Sequence, residues 1–223
     1  MFHPDRGISW TRSDGGSKPQ ELVKSKNLQT PWSFTPDGKR LAYQEADPTS
    51  GYDIWTVPIE NDAAGLRAGK PELFLRSSSD ERNPAFSPDG RWIAYSSTDS
   101  GAFQVYVRSF PDRGGKWQIS NDGGMFPWWS RDGRQLFFRN EESSRVMAVS
   151  YTVQGDSFVP DKPRVWLEKQ LANFGTVVNY DLAPDGKRIA ALMPADEPGE
   201  QKPRNQVTIL QNFFDEVRRR VGK

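Results

Sequence analysis

The sequence has no cysteine and one histidine, His3, which lies beside the N-terminus. The missing cysteine excludes disulfides, thiolate nucleophiles and cysteine-bound zinc. Any triad or metal site that needs histidine would depend on this one residue, at an end of the chain where fraying is common. The Gly-x-Ser-x-Gly elbow of the α/β-hydrolases is also absent. Metal-assisted hydrolysis is the catalytic chemistry that remains.

The sequence also lacks a charge excess and a long apolar run. The sequence has 30 basic and 29 acidic residues, which gives a net charge of +1. This balance argues against a general nucleic-acid-binding surface. No stretch approaches 18 apolar residues, and no signal-peptide core follows Met1. We therefore expect a soluble chain with no nucleic-acid partner, no membrane insertion and no export signal of its own.

Turn-forming and aromatic residues are abundant instead. The chain has 19 Gly and 17 Pro, and its rings comprise 13 Phe, 8 Trp and 6 Tyr. Frequent Gly and Pro predict many short elements joined by tight turns. The aromatic residues supply enough apolar volume for a β core, although only 35% of the residues are hydrophobic. This composition favours an all-β fold.

One turn motif occurs four times: an apolar residue, then Ser, Thr or Ala, then Pro or Arg, then Asp-Gly. The copies begin at Phe34, Phe86, Trp129 and Leu182, so their starts are 52, 43 and 53 residues apart. Ser/Thr-Pro-Asp-Gly fits a type I turn, because proline presets φ at the second position and Asp tolerates the third. A basic residue and an apolar run follow each copy. Each copy therefore predicts a tight β-hairpin.

Further strands are predicted after each hairpin, from β-branched and aromatic residues. The predicted third strands are Asp53–Val57, Gln104–Val107, Arg145–Val149 and Gln206–Leu210, and the fourth strands are Glu72–Leu75, Lys116–Ile119 and Arg164–Leu167. Residues 7–12 and 20–23 look like a third and a fourth strand with no hairpin before them. Four short strands in 40–50 residues make one propeller blade. The prediction is a β-propeller of four recognisable four-stranded antiparallel blades and a partial one.

The segment Asn83–Tyr95 resembles the TolB-type propeller repeat, a relative of the WD repeat. Residues 121–191 and the C-terminal end resemble the last blades of propellers attached to bacterial sensor serine/threonine kinases. The resemblance implies one propeller domain over residues 1–223, of extracytoplasmic (periplasmic) origin. Since the family usually forms six blades, the chain is expected to be truncated, either naturally or as a fragment. Residues 212–223 are expected to form a short basic helical tail.

An open propeller would leave two edge strands unpaired. One solution is a small ring, in which Gln20–Val23 completes the three-stranded last unit. The favoured solution is a homodimer that pairs the open edges of two chains around a two-fold axis.

The first strand of each blade is expected to line the central channel. The candidate ligand-binding residues on these strands are Trp32, Glu81, Arg82, Asn83, Trp128, Asn179, Tyr180 and Asp181. The alternative is that they hydrogen-bond to neighbouring blades and to water. The turn aspartates Asp37, Asp89, Asp132 and Asp185 are expected to be structural rather than a metal set.

Two functions remain open on the sequence. The favoured one is a non-catalytic scaffold that recognises a protein or a small ligand, with no cofactor. The alternative, implied by other six-bladed propellers, is a hydrolase of phosphotriesters or lactones. Such an enzyme would hold a divalent cation such as calcium with oxygens of the type found on Glu81, Asn83, Asn179 and Asp181. A non-functional fragment is the third reading.

Overall fold

Antiparallel strands joined by the repeated turn make up the regular structure. The computed structural model describes residues 7–14, 16–63, 65–172, 178, 180–183 and 188–191, and in these ranges the regular elements are β-strands. Their bounds are β1 (Ile8–Trp10), β2 (Gln20–Val23), β3 (Gln29–Phe34), β4 (Arg40–Asp47), β5 (Gly51–Asp62), β6 (Gly65–Ala68), β7 (Glu72–Leu75), β8 (Glu81–Phe86), β9 (Trp92–Ser97), β10 (Gln104–Ser109), β11 (Lys116–Gln118), β12 (Met125–Trp129), β13 (Gln135–Arg139), β14 (Val146–Gln154), β15 (Ser157–Pro160), β16 (Arg164–Leu167), β17 (Tyr180–Leu182) and β18 (Ile189–Ala191).

Three sheets have the predicted four-stranded antiparallel order. Blade 1 is β3-β4-β5-β7, blade 2 is β8-β9-β10-β11 and blade 3 is β12-β13-β14-β16. The pair β17–β18 follows blade 3, and the pair β1–β2 precedes blade 1. The all-β prediction and the four-stranded sheets are confirmed. The total number of blades and closure by oligomerisation stay predictions.

Two strands, β6 and β15, do not appear in the sequence prediction. β5 and β14 run past the edge of their blades, and each folds back as a hairpin with the strand that follows. The β15 hairpin contributes Phe158, which is 1% exposed and packs with Trp92 and Trp129 in the largest core cluster. The added hairpin of blade 3 therefore stabilises the contact between blades 2 and 3.

The repeated turn closes with the hydrogen bond of a β-turn where the structure describes it. Gly38 donates its N–H to the carbonyl oxygen of Thr35 at 2.8 Å, which is the bond between the first and fourth residues of a β-turn. Gly38 has a φ of 70°, a left-handed conformation that favours glycine. The equivalent bonds are Gly90 to Ser87 at 2.9 Å and Gly133 to Ser130 at 3.0 Å.

The hydroxyl group that opens each of these turns closes the hairpin. Ser87 Oγ accepts a hydrogen bond from the backbone N–H of Trp92 at 3.0 Å and donates one to Asp89. In the first copy, the hydrogen bond from Thr35 and then the N–H of Lys39 hold the pKa of Asp37 below its usual value. Asp37, Asp89 and Asp132 are thus bound within their own turns, in agreement with a structural role, and Asp185 lies outside the described residues.

The core lies between successive blades. Ile54 of blade 1 packs with Tyr95 and Tyr106 of blade 2. Between blades 2 and 3, Trp92 meets Leu136 and other residues of the largest cluster. Each sheet buries its faces against its neighbours, because a four-stranded sheet cannot cover its own apolar face.

Glu81, the first residue of β8, is buried among these sheets with 2% of its surface exposed. Its Oε1 accepts a hydrogen bond from Ser77 Oγ, and its Oε2 has no partner. Burial raises the pKa of Glu81, the bond from Ser77 opposes this, and the charge of Asp53 adds to it. The ionised form of Glu81 therefore costs folding free energy.

The described residues contain no helix long and apolar enough to cross a membrane. The predicted strand over residues 206–210 and the helical tail over 212–223 lie outside the part of the chain that is described.

We expect Ser87→Ala to lower the free energy of unfolding by about 1–2 kcal/mol, because the buried N–H of Trp92 loses its acceptor. Ser87→Thr is the matched control, since Thr35 makes the same bond in blade 1. Urea unfolding followed by Trp fluorescence measures both. Equal losses in the two variants would show that the hydroxyl is not the stabilising group.

Glu81→Gln is expected to raise the free energy of unfolding at neutral pH and to change this free energy little in acid. A carboxyl with a raised folded-state pKa binds more protons in the folded state, so stability falls as pH rises from its unfolded pKa through its folded pKa. The measurement is the difference in thermal midpoint between variant and wild type from pH 4 to pH 8. Glu141→Gln, at an exposed position, is the control and should show no such trend. A difference independent of pH would contradict the prediction.

Candidate functional site

The first strand of each blade carries a β-bulge at the same place. Register shifts occur between Pro31 and Ser33 in β3, between Arg82 and Ala85 in β8, and between Met125 and Trp128 in β12. Within two of these bulges, Asn83 and Phe126 have positive φ values of 57° and 56°. They occupy the same position of the repeat, three residues before the buried residue that opens the turn motif. A bulge of this kind redirects the side chains that flank it.

The preceding blade holds the bulges of β8 and β12. The N–H of Asn83 donates to Gln44 Oε1 of blade 1 at 2.9 Å, and the N–H of Phe126 donates to Ser96 Oγ of blade 2 at 3.2 Å. Gln44 and Ser96 are the equivalent residues of β4 and β9, and both are buried. The strained backbone is therefore fixed by a side-chain acceptor from the neighbouring sheet.

The strands β3, β8, β12 and β17 enclose a pocket of about 780 Å³. Its lining is largely aromatic rings and prolines, with Arg131 and Asp181 as its charged side chains among the described residues. The lining residues are Trp32, Ser33, Phe34, Pro36, Pro84, Ala85, Phe86, Ser87, Pro88, Phe126, Pro127, Trp128, Trp129, Arg131, Val178, Tyr180 and Asp181.

Phe126 forms the floor of this pocket. Its ring lies 6.2 Å from that of Trp32, centroid to centroid. Because these residues belong to blades 3 and 1, which are not neighbours, the contact crosses the space between the inner strands. The carbonyl oxygen of Phe126 accepts a hydrogen bond from the Tyr180 hydroxyl at 3.3 Å. Phe126 is buried, with 2% of its surface exposed.

One wall is built by stacked rings. Trp128 lies 4.5 Å from Tyr180 and 5.6 Å from Phe137, centroid to centroid, and is parallel to the latter within 19°. Burial raises the pKa of Tyr180 far above its usual value, so its hydroxyl remains a donor. Trp129 points into the core and donates its indole N–H to the Ala85 carbonyl at 2.9 Å. Strand alternation thus separates the two indoles.

The opposite rim exposes apolar side chains to solvent. Phe34 is 47% exposed and Val178 is 37% exposed, and both line the pocket. The repeat places Phe34 in the position that is buried at Phe86 and Trp129. An exposed ring at the mouth of an apolar pocket is a surface that a ligand can cover.

Four of the eight candidate residues from the sequence line this pocket, namely Trp32, Trp128, Tyr180 and Asp181. Glu81, Arg82 and Asn83 do not. Asn179 lies outside the described residues.

The three that lie elsewhere precede or form the bulge of β8. Arg82 packs its guanidinium 4.0 Å from the centre of the Tyr52 ring and forms an ion pair with Asp80 at 2.7 Å. Glu81 and Asn83 are buried. Glu81 is bound to Ser77, and Arg82 to Asp80 and Tyr52, so both side chains are engaged away from the pocket.

Several pocket residues do not appear among the candidates from the sequence. Phe34 and Phe126 lie on first strands that were expected to line the channel, but neither was named as a candidate. One sequence signal could have identified Phe126. It aligns with the candidate Asn83, and each of the two residues directly precedes a proline. The positive φ that brings it under the pocket has no mark in the sequence, since Phe rarely adopts it.

The described residues hold no group of three or more His, Asp or Glu side chains placed to bind a metal ion. Asp181 lines the pocket, whereas Glu81 and Asn83 are buried away from its lining.

Comparison with known proteins gives partial matches. No protein-family model matches the chain. An uncharacterised protein of Agrobacterium fabrum is 26% identical over 145 residues, which are 64% of this chain and 42% of that protein. TolB from Acinetobacter baumannii superposes with a TM-score of 0.59 at 21% identity, over 87% of this chain and 45% of TolB.

A gluconolactonase from Xanthomonas campestris superposes with a TM-score of 0.52 at 16% identity, over 82% of this chain and 61% of that enzyme. The chain spans less than half the length of the Agrobacterium and Acinetobacter proteins. At these identities the likeness to solved structures concerns the fold. The chain has the fold of TolB-type β-propeller repeats.

Proposed function

We propose that this protein is a binding module that holds an aromatic or apolar group, of a partner protein or a small molecule, in the pocket between its inner strands. The observation that carries the proposal is the pocket itself, about 780 Å³ in volume and lined mainly by rings and prolines. Ligand sites in proteins have this size and this apolar character, with a few polar groups that orient the ligand.

The walls of the pocket are already held in place. The backbone of Phe126 is fixed, because its N–H donates to Ser96 Oγ and its carbonyl oxygen accepts from the Tyr180 hydroxyl. Trp128 is held between Phe137 and Tyr180. A ligand therefore loses little free energy in ordering the Trp128 side chain and the Phe126 backbone, which favours binding. A flat aromatic group can stack on the rings at the ring-to-ring distances found within the wall.

The alternative is a hydrolase of lactones or phosphotriesters that uses a divalent cation. The similar fold of the gluconolactonase supports this alternative. Its expected oxygen ligands are spread out, because Asp181 lies in the pocket lining and Glu81 and Asn83 do not. Binding is therefore the function that the geometry supports better. Calorimetric titration with Ca²⁺, before and after chelation, tests the alternative directly.

The proposal predicts that N-acetyl-L-tryptophanamide, a neutral aromatic probe, binds in the pocket. Phe34→Ser should weaken this binding about fivefold, the equivalent of about 1 kcal/mol for part of a ring contact. Leu73→Ser is the matched control, since Leu73 is 44% exposed on β7 and does not line the pocket. Ligand-observed NMR titration gives both dissociation constants.

Equal weakening by the two substitutions would place the probe elsewhere on the surface. No binding to the wild-type protein, together with Ca²⁺ binding and lactone turnover, would replace the binding proposal by the hydrolase.

A further inference from the structure

The unsatisfied polar atoms of the pocket lining are all hydrogen-bond donors. Among the described lining residues, the buried side-chain atoms without a partner are Trp32 Nε1 and Trp128 Nε1. An indole N–H can donate and cannot accept. A buried donor without an acceptor is costly, so a ligand that supplies acceptors would relieve both.

Arg139 adds further unpaired donors behind Phe126, the floor of the pocket. Arg139, the last residue of β13, is 2% exposed, and its Nε and Nη1 have no hydrogen-bond partner. Its Cζ lies 4.8 Å from the centre of the Phe126 ring, and its charge acts on Tyr180. Both of these neighbours line the pocket. No carboxylate within the described ranges forms an ion pair with Arg139.

The repeat shows that Arg139 is not a copy of a structural residue. It occupies the position of Gln44 in blade 1 and Ser96 in blade 2. There the side chain accepts the backbone N–H of the following blade. A guanidinium has no acceptor and cannot make that bond. Blade 3 thus places a cation where the other blades place an acceptor, and a buried cation demands an anionic partner.

We propose that the pocket binds ligands that join an aromatic body to a carboxylate, and that Arg139 pairs with the carboxylate. This inference rests on the proposed function and adds the charge of the ligand to it. The aromatic body lies against Trp32 and Trp128. The carboxylate reaches the guanidinium when the Phe126 ring turns aside, and Arg139 then exchanges a contact with a ring face for a charge-assisted hydrogen bond.

The experiment compares two probes that differ in one group. N-acetyl-L-tryptophan carries a carboxylate where N-acetyl-L-tryptophanamide carries a neutral amide. We expect the wild-type protein to bind the carboxylate at least tenfold more tightly. Arg139→Gln should remove this preference and leave the affinity for the amide within about twofold, while Arg139→Lys should retain part of the preference. Thermal midpoints of the variants confirm that they fold.

Arg131 is the rival cation, since it is exposed on the pocket lining. Loss of the preference in Arg131→Gln, with its persistence in Arg139→Gln, would overturn the assignment to Arg139. Equal affinity of the wild type for the two probes would overturn the inference and leave the binding function standing. This wild-type comparison does not depend on the folding of any variant. If neither probe binds, the proposed function and the inference both fail.

Discussion

Each blade of this protein has two faces to bury, and it buries them against the sheets beside it. The contact of Ile54 with Tyr95 and Tyr106 is one such interface, and the cluster around Trp92 is another. Sheets that pack face to face in succession bring their first strands together on one side. The pocket between β3, β8, β12 and β17 is the space that these strands leave between them. The site is thus a product of sheet packing rather than of one motif.

The bulges on the first strands decide which side chains line this space. The positive φ of Phe126 turns its ring under the pocket, where it meets Trp32 of a non-neighbouring blade. Ser96 of the preceding blade holds that backbone by a hydrogen bond. In blade 3, the position equivalent to Ser96 is occupied by Arg139, which cannot accept a hydrogen bond. The repeated positions build the blades, and residues that depart from the repeat supply the hydrogen-bond donors and the positive charge near the pocket.

Much of the strand pattern could be predicted, because turn chemistry and β-branched runs are local signals. The bounds of β7 and β16 agree with the prediction. The hairpin strand β15 was missed, since its role depends on Phe158 reaching the core between two blades. Half of the candidate site residues converge on the pocket. Arg82 does not, because its guanidinium pairs with Asp80 and packs on Tyr52, and these contacts leave no mark in the sequence.

The sequence by itself determined the repeat, the turns and the strand order, because Ser/Thr-Pro-Asp-Gly specifies its own local geometry. It also excluded every cysteine-based site. Only the tertiary structure decided which side chains meet across blades, since these are far apart in the chain. The contact of Trp32 with Phe126 and the burial of Arg139 without an acceptor are of this kind. Their physical cause is the packing of one sheet against the next, which no local pattern of residues records.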